Sequence, residues 1–133
     1  MKINLKYTVA LNILLVCELY KKEKITANYI NKITGCDVTT IRQVMYDIKK
    51  AGFIDSKPGP GGTKLAKDLS EISLFDVYAS VLDPSESMMK FYEGSSDNIQ
   101  TVVETQFNEY RDMLFTEMQK TTVKALCDKI KTK

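Results

Sequence analysis

The chain contains no histidine. That absence removes the Ser-His-Asp and Cys-His nucleophilic systems, imidazole-based zinc sites and the commonest general base. Carboxylate or lysine chemistry stays open, but no paired arrangement marks it. Cysteine is sparse as well: Cys17, Cys36 and Cys127 stand far apart with no C-x-x-C, so neither a metal knuckle nor a dithiol motif is written and no metal site is expected. Isolated thiols of this kind fit a reducing compartment. Long apolar runs are missing too, since nothing approaches the roughly 20 residues that cross a bilayer. The opening stretch MKINLKYTVALNILLVCEL is basic and then apolar. Asn12 and Glu18 interrupt it, no small-residue cleavage site follows, and its periodicity is helical, so it reads as a helix of the fold rather than a signal peptide. A cytoplasmic protein is expected, with no membrane partner, no catalytic residue and no cofactor.

What is present is the composition of one ordinary soluble globular domain: 133 residues, 44% hydrophobic and 27% charged. The net charge of +2 hides a division, because residues 1–67 carry 12 Lys/Arg against 5 Asp/Glu whereas residues 68–133 carry 7 against 12. A basic first half suits a polyanion; the acidic second half is expected to do something else.

The stretch VTTIRQVMYDIKKAGFIDSKPGPGGTKLAKD, residues 38–68, organises the reading. Over 38–51 the apolar positions Ile41, Val44, Met45 and Ile48 fall at helical spacing and predict one buried stripe. The other face holds Thr39, Thr40, Arg42, Gln43, Tyr46 and Lys49 or Lys50, side chains suited to phosphates and base edges. Gly52 is the left-handed residue that would end the helix. Residues 53–56 read as a strand, PGPGG at 58–62 as the tip of a hairpin and 63–66 as the returning strand. Upstream, residues 3–20 predict a helix so densely apolar that other elements must surround it, with Lys2 and Lys6 near its start where they could touch phosphate. Cys17 within it reads as a small buried apolar side chain. Thr26 is expected to cap a second helix with Ala27, Ile30 and Ile33 on its buried face and to be among the DNA contacts, and Gly35 to make the turn. Helix, short turn, helix and basic hairpin together outline a DNA-reading unit.

Residue identities carry this further. The helix ending in K-A-G-hydrophobic at Lys50 to Phe53, Ser56, the G-P-G-G of Gly59 to Gly62, L-A-K-D at Leu65 to Asp68 and E-I-S-L-x-D-V at Glu71 to Val77 together resemble the Rrf-two family of bacterial transcriptional regulators, as does an opening helix with Tyr7 near its start. Members of that family include iron–sulfur-cluster, nitric-oxide and cysteine-metabolism repressors. The resemblance is specific through the hairpin and fades after Pro84. It implies a mainly α fold with a small β-hairpin wing, and DNA contacts at Thr39, Thr40, Arg42 and Gln43 and around Lys57, Gly61, Gly62, Thr63 and Lys64. Many members carry an Arg before the first wing glycine and a Tyr after the glycines; here Pro58 and Lys64 stand there, and Lys57 or Lys64 is expected to supply the missing charge. Where the family's cluster-binding members place three cysteines, between the two halves, this chain has none.

Ser73, with Asp76 in place of the usual Glu/Gln, predicts a capped helix to about Leu82, ended by Asp83-Pro84-Ser85. A connector containing Met88, Met89, Phe91 and Tyr92 follows, and then the longest helical pattern: Ile99, Val102, Val103, Phe107, Tyr110, Met113, Leu114 and Met118. Thr121 or Thr122 would cap a last helix. The long stripe wants a partner, and a second copy of itself is the simplest, with Ile99, Val102, Val103, Phe107, Tyr110, Met113 and Leu114 as the dimerisation face. The expected organisation is a winged helix-turn-helix domain at 1–83 and a connector with helical dimerisation region at 84–133.

The expected function is that of a homodimeric, sequence-specific DNA-binding repressor on a near-palindromic operator, two recognition helices lying about 34 Å apart on successive major grooves. The alternative is a winged-helix module that binds a protein and has no preferred DNA sequence. Arg42 would read guanine and Gln43 adenine. The signal is read either as oxidation of Cys36, should it be an exposed thiol beside a helix N-terminus, or as a small-molecule or protein effector near Met88 to Tyr92. The structural reading of Cys36, simply a packed side chain, is favoured over the oxidation reading.

Overall fold

The first helix, α1 (Leu5–Leu19), buries Tyr7, Val9, Ala10, Ile13, Leu14, Val16 and Cys17, which is more than one face of a helix can hold. It is therefore enclosed by neighbours on several sides, as its apolar density predicts. The computed structural model describes residues 4–57, 61–94 and 96–130, with only the backbone of Lys57. Lys2 and the hairpin-tip residues Pro58, Gly59 and Pro60 lie outside the described residues.

Asn4 caps α1, its side chain accepting from the Tyr7 N–H at 3.3 Å. Helix α2 (Ala27–Thr34) starts at Thr26, whose hydroxyl accepts from the Tyr29 N–H, and stops at Gly35 with φ +76°. Helix α3 (Val38–Lys50) starts at Asp37, whose carboxylate accepts from the Thr40 N–H at 3.0 Å. Its stripe of Ile41, Val44 and Ile48 is buried, with Met45 half-buried beside it.

A two-stranded antiparallel hairpin follows, β1 (Ile54–Lys57) and β2 (Gly62–Leu65), in a register from Ile54 opposite Leu65 to Lys57 opposite Gly62. Each strand is offset by one residue from the expected 53–56 and 63–66. The reason is the end of α3: Gly52, at φ +86°, lets the Phe53 N–H reach back to the Ile48 carbonyl at 3.0 Å and its own N–H reach Lys49. Phe53 thus belongs through its N–H to the closing turn of the helix, while its carbonyl accepts from the Ala66 N–H at 3.0 Å at the end of the ladder that starts at Ile54 and Leu65.

A single 3-10 turn, Leu69–Glu71, is held by the Asp68 carboxylate accepting from the Ser70 N–H at 2.8 Å. In α4 (Leu74–Val81) Ser73 and Asp76 form the expected reciprocal cap, Asp76 N–H to Ser73 Oγ at 3.0 Å and Ser73 N–H to Asp76 Oδ2 at 2.9 Å. The long helix is α5 (Asp97–Lys120), and the last is α6 (Val123–Lys129), capped by Thr122. The chain between them is stitched to the start of α4: the Leu74 N–H donates to Thr121 and the Val123 N–H to Ile72.

One hydrophobic core joins α1, α3 and α4 to Phe115 and Met118 of α5 and Val123 of α6. Segments 1–83 and 84–133 therefore share it. Phe115 lies with its ring 5.0 Å from Phe75 and 5.2 Å from Tyr78, and Tyr78 meets Tyr7 edge-on at 5.3 Å. Met118, expected in the same stripe as Ile99 to Leu114, is instead buried in this core, because the helix has turned by the time it reaches α4. The connector lies along α5, where the Arg111 guanidinium donates to the carbonyls of Ser85 and Glu86 and Asn108 accepts from the Met88 N–H.

Candidate nucleic-acid interface

Helix α3 buries one side and leaves the other open because its apolar residues recur at helical spacing. Thr39, Arg42, Gln43 and Tyr46 are all exposed at i, i+3, i+4 and i+7, so they form one outward row along the helix. Thr40 is half-buried, and its hydroxyl donates to the Asp37 carboxylate at 3.1 Å, which binds it to the cap more than to the open row. Asp37 itself carried no sequence signal beyond its place before an apolar-periodic run. Arg42 and Gln43 offer the planar donor groups that pair bidentately with guanine and adenine edges. In the helix-turn-helix arrangement, the second helix presents its N-terminal half to a groove.

The hairpin is anchored at two points beside this row. At the first, Lys49 turns toward β1, its Nζ donating to the Ser56 carbonyl at 3.2 Å and the Ser56 hydroxyl at 3.1 Å. This contact was not legible in the sequence, where Lys49 reads as a free phosphate contact. At the second, the Thr63 N–H donates to the Ile25 carbonyl at 2.8 Å, fastening β2 to the turn between α1 and α2. Thr63 is consequently only 5% exposed. The expectation that its side chain contacts DNA is corrected: alternation along the strand turns Thr63 inward and leaves Lys64 exposed. Gly61 is exposed and Gly62 half-buried.

Other expected residues are dispersed. Lys6 is exposed on the first turn of α1, and Thr26 is half-buried with its hydroxyl occupied as the α2 cap. Lys24, which no sequence motif singles out, is exposed and lies against Gly62 at the base of the hairpin.

Cys36 is half-buried against the core, as the structural reading of this cysteine has it and not as the open thiol of the oxidation reading. Its sulfur accepts from Asn12 Nδ2 at 3.5 Å, its carbonyl accepts from Asn31 and its N–H donates to the Thr34 hydroxyl. Burial pushes the Cys17 thiol up to about 12 and raises that of Cys127, the latter further raised by Glu18 and Asp128.

On α5, Ile99, Val102, Phe107, Tyr110, Met113 and Leu114 are exposed and Val103 half-exposed, an apolar face about 22 Å long at 1.5 Å per residue. Among the described residues no helix is long and apolar enough to cross a membrane.

The family model described as Rrf2, iron-dependent transcriptional regulator, matches residues 3–129. A Bacillus subtilis protein named as the HTH-type transcriptional regulator YwnA is 31% identical over 84 residues; the match covers 63% of this chain and 62% of that relative's length. Among solved structures, CymR, the global cysteine regulator of B. subtilis, superposes with a TM-score of 0.75 at 17% identity, covering 98% of this chain and 99% of CymR. T. potens IscR gives a TM-score of 0.72 at 16% identity, covering 100% of this chain and 94% of IscR. Both likenesses speak to the fold, a winged helix-turn-helix with a long C-terminal helix.

The iron in the family description calls for donors gathered at one place. No group of three or more His, Cys, Asp or Glu able to hold a metal exists among the described residues. The connector has no cysteine, and Cys17, Cys36 and Cys127 sit on α1, before α3 and on α6. This donor set does not fit a thiolate-bound iron cluster. With residues 3–129 matched and the fold shared, the chain belongs to the Rrf2 family of transcriptional regulators.

Proposed function

We propose that the chain is a cytoplasmic, homodimeric repressor that reads duplex DNA with α3 and its wing. The observation that carries this is the outward row Thr39, Arg42, Gln43 and Tyr46, hydrophilic and uncovered on the second helix of a helix-turn-helix, with the basic hairpin fastened beside it. In this reading residues 1–83 are the reading head and residues 84–133 hold two copies together through Ile99, Val102, Val103, Phe107, Tyr110, Met113 and Leu114. Lys6, Lys24, Lys64 and the Lys2 and Lys57 side chains supply phosphate attraction; Arg42 and Gln43 supply base choice. Two heads related by a two-fold axis call for a near-palindromic operator. The effector in this reading is a small molecule or a protein taken up by the connector near Met88 to Tyr92, without iron.

The test is selection of duplexes from a random library followed by binding at several salt concentrations. Arg42→Ala is expected to relax preference at one position of the selected site by about 1–3 kcal/mol. Lys64→Ala is expected to weaken all duplexes alike and flatten the salt dependence. Salt-labile retention with no preferred sequence would favour the protein-binding alternative.

A further inference from the structure

We infer that Gly62 is a positioning residue for DNA binding: with no side chain there, β2 lies directly on Ile25 of the α1–α2 turn, and this seat, with the grip of Lys49 on Ser56, fixes the wing relative to α3. The inference rests on the reading of α3 and the wing as the DNA-binding surface.

Two independent features of the backbone demand glycine. Gly62 has φ +64°, a region that residues with a Cβ rarely occupy. A Cβ built there would stand 2.9 Å from the Ile25 carbonyl oxygen and 3.1 Å from the Ile25 nitrogen, both backbone atoms, and 3.1 Å from Lys24 Cγ. Only the lysine methylene can move aside cheaply. Ile25 cannot, because it is 2% exposed and part of the core. Adding one methyl group must therefore push β2 away from the turn, stretching the 2.8 Å bond between the Thr63 N–H and the Ile25 carbonyl.

The consequence falls on the next residue out. Lys64 is exposed and follows Thr63 on β2, so the point from which its side chain leaves the strand is set by the same seat. On the opposite strand, Ser56 pairs with Thr63 and is held by Lys49 from the last turn of α3. The hairpin is thus tied to the recognition helix through β1 and to the α1–α2 turn through β2. A two-stranded hairpin alone is marginal in water, so these ties, rather than its own pairing, set its angle.

The experiment measures binding of the parent to the duplex it selects from a random library, together with Gly62→Ala, Lys64→Ala and the double variant. If Gly62 acts by placing the wing, Gly62→Ala and Lys64→Ala each lower affinity about tenfold, the scale of a lost phosphate contact. The double variant is then no more than about twofold worse than either, because one wing is lost only once. Base preference at the position read by Arg42 stays unchanged. A merely structural role would give multiplicative losses or altered base preference, and either result overturns the inference. Amide exchange provides a readout free of DNA: the Thr63 N–H should exchange faster in Gly62→Ala while the Ile41 to Ile48 amides keep their protection, and unchanged Thr63 exchange overturns the inference. Should Gly62→Ala not fold, Lys49→Met is used in the same cycle. A loss that is non-additive with Lys64→Ala supports the anchorage, and additivity refutes it. A parent that selects no duplex would refute the DNA reading, while the Thr63 amide would still decide the role of Gly62 as the seat.

Discussion

Met113 and Phe115 stand two residues apart on α5 and should respond to substitution in opposite ways. Met113 is 65% exposed, whereas Phe115 is 6% exposed and packs on Phe75 and Tyr78. Truncating a buried Phe to Ala removes its transfer free energy and leaves a cavity, together about 3–5 kcal/mol, and the two ring contacts place this site toward the upper end. Set against a whole-domain stability of about 5–15 kcal/mol, that loss is a third or more of the total. With a urea slope of about 2 kcal/mol per molar, the midpoint of Phe115→Ala should fall by about 2 M. Met113→Glu removes no buried contact within the chain, so the stability of a single copy should change by no more than about 0.5 kcal/mol. It should nevertheless abolish self-association, because a carboxylate would be placed in the apolar face. Sedimentation at several concentrations separates the two: the parent and Phe115→Ala should show dimer, Met113→Glu only monomer. Urea midpoints of the parent should rise with protein concentration, and those of Met113→Glu should not. If Met113→Glu lowers the dilute midpoint as far as Phe115→Ala does, or if it remains dimeric, the assignment of the two faces of α5 is refuted.

Ser73→Ala deletes the hydroxyl that accepts the Asp76 N–H and should cost about 1 kcal/mol, a fall of about 3–5 °C in Tm by circular dichroism; an unchanged Tm would show the cap to be idle. Burial raises Cys17 from its usual 9.0 to about 12 and Tyr7, with Tyr78 adding, from 10.0 to about 12. Both groups stay neutral in the fold while the unfolded chain ionises first, so the unfolded state holds fewer protons and stability falls as pH rises from 9 to 12. Urea midpoints at pH 8 and pH 11 test this, and equal values would contradict it. For the same reason Cys17 should resist alkylation at pH 8 until the chain is unfolded, which mass spectrometry of the labelled peptide reads directly.

The elements that local chemistry specifies were legible in the sequence. The stripe of Ile41, Val44 and Ile48, the stop at Gly52, the Thr26 cap and the Ser73–Asp76 pair each depend on residues within one or two turns, and each is where it was expected. What escaped was set by partners far along the chain. Thr63 is held by a backbone bond to Ile25, 38 positions earlier, and a strand of four residues that begins on a glycine carries too little alternation to say which side faces in. Met118 belongs to the core because α4 lies there, although the pattern of α5 alone continues through it. Cys36 is sheltered by Asn12, on a helix that nothing near residue 36 encodes. In the candidate site, the open row of α3 was therefore readable, while the two ties that aim the hairpin were not.

The ring cluster of Phe75, Tyr78 and Phe115 has a mechanical consequence. Helix α4 touches α1, α3 and α5, so it stands between the long helix and the helix that carries Arg42. Through these rings α5 packs on α4, and α4 packs in turn on α3, so a shift of α5 meets the helix that carries Arg42 through side-chain packing. If two copies pair along α5, as proposed, this shared packing ties the seam between them to the placement of each α3.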